Sequence, residues 1–226
     1  MPVPHPDLLS AASVGDLLCL MDGAVRMRVL AVGPSGLDTR VEKGGTLTTR
    51  GGIRLEGFRS CSETVAERDG AQIGIAQEFQ VEALALSYAA NEGSVRALRE
   101  EGARLGYRPR LIAKIESPAG LDALDGLCRA ADELWFCRGD LGMHVPLGAL
   151  GRHQQETLRV AATHGVPCLV AGQVFHHLVD HAEPTRSEVV HLYDVRRAGA
   201  AGVVLSDETA IGLDPARALS AVVSLL

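Results

Sequence analysis

RLIAKIESPAGLDALDGLCRAADELWFCRGDLGMHVP, residues 110–146, reads as strand, helix, strand and a glycine-containing exit. The first strand, Leu111–Glu116, is apolar until Lys114 and Glu116 appear near its end. Strand side chains alternate between faces, so these two charges point the same way. The second strand, Leu134–Asp140, also ends in charge, with Arg138 and Asp140. Adjacent parallel strands that both deliver charge at their carboxyl ends predict the active-site end of a (β/α) barrel.

Lysine use sharpens the point. The chain holds 22 Lys plus Arg, yet lysine occurs only at Lys43 and Lys114. An ammonium is a compact charge whose pKa can be tuned, which a guanidinium cannot offer. The bland alternative is a lysine snorkelling out from a strand end. Glu116 on the same face favours a functional role.

Working outward, 226 residues suit one domain with an appendage. At 46% hydrophobic and 22% charged, the composition is that of a soluble globular protein. A formal net charge of -6 argues against a nucleic-acid or anionic-membrane partner. Cys19, Cys61, Cys128, Cys137 and Cys168 are odd in number and form no C-x-x-C pair. They read as mostly buried, reduced thiols of a cytoplasmic protein, not as a zinc site. The first residues, MPVPHPDLLSAAS, lack the progression of a signal peptide, and no apolar run reaches membrane-spanning length.

Residues 1–12 are Pro-rich and are expected to be unstructured. Val14 to Gly57 has β character, with turns at Asp22-Gly23 and Gly33-Pro34-Ser35-Gly36. Residues 1–58 are therefore expected to form a small antiparallel module of about four strands. A helix start is expected at Ser62, running to about Phe79. Strands then alternate with helices: Val81–Ser87, Gly93–Leu105, Leu111–Glu116, Ala119–Ala130, Leu134–Arg138, Leu147–His164, Pro167–Ala171, Thr185–Ala198, Gly202–Leu205 and Pro215–Leu226. The strands are continuous apolar runs, as in a parallel sheet covered on both faces. The expected fold class is α/β: a partial TIM (β/α) barrel of about five strand-helix units, residues 59–226, behind a small N-terminal β module.

Four motifs occur in order: Lys114-Ile115-Glu116; Arg138-Gly139-Asp140-Leu141-Gly142; Pro184-Thr185-Arg186-x-Glu188; and Leu205-Ser206-x-Glu208-Thr209-Ala210. Together they resemble the pyruvate kinase family, and Val41-Glu42-x-Gly44-Gly45 resembles part of its small lid domain. The resemblance runs from the middle of the lid through the eighth barrel strand. The family's first three barrel strands, the first half of the lid and the C-terminal domain have no counterpart in it. The family's lid lysine falls on Gly51, the Thr after its seventh strand on Gly172, and the Gly of its Ser-Gly-Glu-Thr motif on Asp207.

The resemblance implies that Glu116 and Asp140 hold Mg²⁺ or Mn²⁺, which suits oxygen-only ligation. It implies that backbone N–H groups at Gly139 and Asp140 hold a carboxylate, and that Lys114 neutralises an enolate oxygen. Arg138 would brace the site, with an ion pair to an acid on a neighbouring strand as its plain alternative, and Gly172 and Ser206 would border the substrate. Phosphoryl transfer depends on positive groups that these residues lack in part. The function expected is thus a lyase, an aldolase or decarboxylase acting on a pyruvate-like 2-oxo acid. A pyruvate kinase-type phosphotransferase completed by a partner chain, and a non-catalytic scaffold, are the alternatives. His176, then His144 and His177, are the acid/base candidates, each with a solvent-facing loop histidine as its plain alternative. Ser87 would face ligand or cap a turn, Glu208 would pair with Arg186 or touch substrate, and Trp135 would be core. Open sheet edges lead us to expect a second copy or a partner chain that completes the barrel.

Overall fold

The computed structural model describes residues 11–21, 23–49, 51–55 and 67–225. Its chain divides into two units, Met1–Ser60 and Cys61–Leu226. Asp22, Gly57, Cys61 and the expected helix start at Ser62 lie outside the described residues, as do residues 1–10.

The first unit is a four-stranded antiparallel sheet in the order β3-β2-β1-β4. Its strands are β1 (Leu17–Leu20), β2 (Val25–Gly33), β3 (Gly36–Lys43) and β4 (Ile53–Leu55). β1 is central and buried at all four positions. Leu18, Leu20, Val25, Val29 and Leu55 gather into a small core of their own. Gly33 pairs with Gly36, so Pro34-Ser35 form a two-residue hairpin loop. A Cβ at Gly51 would lie 2.0 Å from Met21 Sδ, so no side chain fits there unless Met21 moves.

The second unit begins with α1 (Glu67–Glu78), followed by β5 (Ala83–Leu86), α2 (Glu92–Arg104) and β6 (Arg110–Ile115). Next come α3 (Pro118–Asp122), α4 (Leu124–Ala130), β7 (Glu133–Cys137) and the one-turn α5 (Arg138–Leu141). A 3-10 turn (Leu147–Ala149) leads into α6 (Leu150–His164), then β8 (Cys168–Ala171), a second 3-10 turn (His176–Val179) and α7 (Arg186–Arg197). The unit ends with β9 (Gly202–Val204), α8 (Asp207–Ala210) and α9 (Pro215–Leu225).

All five strands are parallel, in the sequential order β5-β6-β7-β8-β9. Sequential order without reversal is that of barrel staves; a doubly wound sheet would switch direction. Ala113, Ile115, Leu134, Phe136 and Val170 are buried against Leu98, Leu127 and Leu158 of the covering helices. Local signals set the helix ends: the Asn91 side chain caps α2, Gly165 at φ +68° ends α6, and Thr185 with Glu188 forms a capping box on α7.

Three expectations change. The helix expected at Ala119–Ala130 is two helices, broken at Ala123. Strand β7 stops at Cys137, so Asp140 sits on a helical turn and not on the strand. Trp135 is half-buried, and its indole donates to Glu133 Oε1 at 2.6 Å. No described helix is long and apolar enough to cross a membrane.

Candidate active site

β6 carries Lys114 at its penultimate position, and Glu116 follows the strand on the same face. Lys114 Nζ lies 2.7 Å from Glu116 Oε1. Glu116 is fully buried, whereas Lys114 keeps 24% of its side chain exposed. Oε1 is buried with no hydrogen-bond partner, so the pair is held by charge and not by a directed hydrogen bond. Oε2 accepts the Tyr88 N–H at 2.7 Å. Lys114 Nζ also donates to Ser87 Oγ at 3.2 Å, which places Ser87 at the site.

Tyr88 leaves β5 in a left-handed conformation, φ +52°. Its phenol donates to Asp140 Oδ1 at 3.3 Å. The ends of β5 and β6 and the turn after β7 thus converge on one group: Ser87, Tyr88, Lys114, Glu116 and Asp140. The His144 ring stands edge-on to Tyr88, centroids 6.3 Å apart. His176 is exposed on its 3-10 turn and takes no part in this chain of contacts among the described residues. His177 stacks on His181 at 3.7 Å, and its N–H donates to Glu188 Oε1 at 2.9 Å.

Arg138 does not pair with an acid on a neighbouring strand. Its Nε donates to the Gly172 carbonyl at 2.9 Å, Nη2 reaches the same oxygen, and Nη1 meets His191 Nε2. Burial lowers the Arg138 pKa, and the nearby Glu208 charge opposes that. Gly172, at φ +84°, lies against α5: a Cβ there would sit 3.5 Å from Gly139 N. Ser206 donates through both its N–H and its hydroxyl to Glu208 Oε2, each at 3.2 Å. The fully buried Glu208 also accepts the Phe175 N–H at 3.2 Å, so it pins the loops after β8 and β9 and does not pair with Arg186.

Burial pushes the thiols of Cys137 and Cys168 up to about 12 and that of Cys128 to about 11. Burial therefore keeps these cysteines as thiols at neutral pH. No group of three or more His, Cys, Asp or Glu side chains forms a metal cluster among the described residues. Two carboxylates suffice for Mg²⁺, which keeps water and substrate oxygens as its remaining ligands. Glu116 Oε1, buried without a hydrogen bond, already faces the Lys114 ammonium at 2.7 Å, so a hard cation there would share the oxygen with that charge.

Sequence reasoning missed Tyr88 and the Arg138–His191 contact. The residues Ser87-Tyr88-Ala89-Ala90 contain no glycine or asparagine to signal a left-handed turn. His191 lies inside a helix and belongs to none of the four motifs.

Comparison with known proteins adds ancestry. The family model described as "Pyruvate kinase, barrel domain" matches residues 1–219. A pyruvate kinase of Agrobacterium vitis is 32% identical over 215 residues, 95% of this chain and 45% of that protein. One from Mycobacterium intracellulare is 30% identical over 95% of this chain and 46% of that protein. The crystal structure of a pyruvate kinase from Cryptosporidium parvum superposes with a TM-score of 0.85 at 24% identity. That match covers 96% of this chain and 46% of the other, and it bears on the fold alone. The chain spans less than half the length of the curated relatives it matches. With a matching family model along nearly its whole length, this chain belongs to the pyruvate kinase family.

Proposed function

We propose that the chain carries the pyruvate-handling part of a pyruvate kinase-type active site. The fully buried Glu116, paired with Lys114 and joined through Tyr88 to Asp140, carries this reading. Glu116 and Asp140 would hold Mg²⁺ or Mn²⁺, which when bound supplies fixed positive charge beside the substrate oxygens. Lys114 stabilises negative charge on the C2 oxygen, where the enolate develops. The N–H groups of Gly139 and Asp140 would hold the substrate carboxylate. Arg138 keeps its charge close behind that backbone by gripping the Gly172 carbonyl.

In the phosphotransferase reading, the bond between phosphorus and the enol oxygen of phosphoenolpyruvate breaks. The phosphoryl group passes to a terminal oxygen of ADP, and C3 of the resulting enolate takes a proton to give pyruvate. The relatives' printed names support this reading over the lyase. Nucleotide-side positive charge would come from further βα units beyond β5 and β9, in a second copy or a partner segment. The lyase is a second reading, favoured by the bare Gly172 and the crowded Gly51.

The test is two assays on one preparation with Mg²⁺: exchange of the pyruvate C3 protons with deuterated water, and ADP-dependent formation of pyruvate from phosphoenolpyruvate. Both are expected. Exchange without ADP-dependent transfer would select the lyase. Neither activity would sink both readings.

A further inference from the structure

Lys114 makes two contacts of different kinds. Glu116 Oε1 lies 2.7 Å from its Nζ but takes no hydrogen bond, so that contact is charge without direction. The directed bond goes elsewhere: Nζ donates to Ser87 Oγ at 3.2 Å. Register explains why these two meet. Leu86 of β5 pairs with Ala113 of β6, so the residues that follow, Ser87 and Lys114, stand side by side on one face. Ser87 is exposed and Glu116 is fully buried, so the ammonium is held between an outer hydroxyl and an inner carboxylate. Among the described residues the Ser87 hydroxyl bonds no main-chain group, so it does not serve as a cap for the turn after β5.

We propose that Ser87 is a positioning residue that keeps the Lys114 ammonium drawn out from Glu116, toward the open end of the site. The inference rests on the reading of Lys114 as the group that stabilises the enolate oxygen. A lysine is a flexible stem ending in a point charge, so its neighbours must fix where the charge sits. Left to Coulomb attraction alone, that charge would settle on the buried carboxylate. A hydroxyl directs the ammonium without neutralising it, whereas a second carboxylate would quench the charge that a developing enolate needs. An ammonium that donates to Ser87 keeps further N–H donors for a substrate oxygen.

The test compares wild type, Ser87→Ala and Ser87→Thr in the presence of Mg²⁺, by two measurements. The first is the exchange of pyruvate C3 protons with deuterated water at rising pyruvate. Ser87→Ala is expected to lower kcat about tenfold with KM unchanged, in keeping with one hydrogen bond to a charged group. Threonine keeps the hydroxyl and is expected to restore the rate. The second is the ammonium NMR signal of protein labelled with nitrogen-15 lysine, which needs no turnover. Only Lys43 and Lys114 contribute, and Lys43→Arg tells their signals apart. Ser87→Ala is expected to shift the Lys114 signal and Ser87→Thr to return it toward wild type. Neither should move the Lys43 signal, whose ammonium donates to the Gly23 carbonyl. An unchanged kcat in Ser87→Ala overturns the proposal. A raised KM at unchanged kcat does so too, because it would put the hydroxyl on the substrate itself. A loss that threonine does not restore, or an unmoved Lys114 signal, also overturns it. Wild type that exchanges no protons, while the Lys114 signal still shifts in Ser87→Ala, overturns the enolate reading and this use of the contact with it.

Discussion

Lys114 and Glu116 meet because strand side chains two apart share a face, and burial makes that meeting costly to break. Glu116 is fully buried, so removing the ammonium leaves its charge uncompensated. Lys114→Met is therefore expected to cost about 3–5 kcal/mol. In a chain of this size that lowers the melting midpoint on the order of 10 °C. Added Mn²⁺ is expected to recover part of the loss, since a ligand that binds only the folded state stabilises it. Differential scanning calorimetry with and without Mn²⁺ measures both effects. An unchanged midpoint would mean that the pair contributes no stability. This pair was legible in the sequence from period-two alternation alone. Tyr88 was not, because a left-handed tyrosine leaves no mark in Ser87-Tyr88-Ala89-Ala90.

The strands of the larger unit were legible as apolar runs, because strands buried on both faces need no polar alternation. What the pattern hid were single turns. A four-residue helix such as α5 is too short for any periodicity, yet it moves Asp140 off the strand. The loop after β8 is similar: Gly172 and Gln173 both take positive φ, and only the glycine signals it. Arg138 ties these elements together, joining α5 to the β8 loop and to His191 of α7. Burial, and then the Arg138 charge, hold the His191 pKa below its ordinary 6.5. The folded state therefore keeps His191 neutral where the unfolded chain would protonate it. Stability is full above pH 6.5 and falls as pH drops from there through the lower folded value. His191→Gln removes the titrating group, and the melting midpoint between about pH 8 and pH 5 should flatten. An identical pH profile in the variant would show that the Arg138–His191 contact is not what titrates.

Taken as a whole, the larger unit is an arc of staves and not a closed ring. Among the described residues β5 and β9 each pair on one side only. Large apolar side chains stand in water on the chain before β5 and after β9: Phe79 and Ile211 at 73% exposure, and Val223 at 67%. Unpaired strand edges and exposed large apolar side chains favour association. The chain alone at micromolar concentration is thus expected to sediment as a dimer or larger species. A stable monomer in analytical ultracentrifugation would contradict this. The arc was legible from the count of βα units, whereas no local pattern encodes which polypeptide closes it. Crystals soaked with Mn²⁺ and oxalate probe the site at the strand ends without any assay. An anomalous peak is expected between the Glu116 and Asp140 carboxylates, with oxalate against Lys114 and the Gly139 N–H. Crystals without such a peak, with Lys114 still closed on Glu116, would contradict a metal site there.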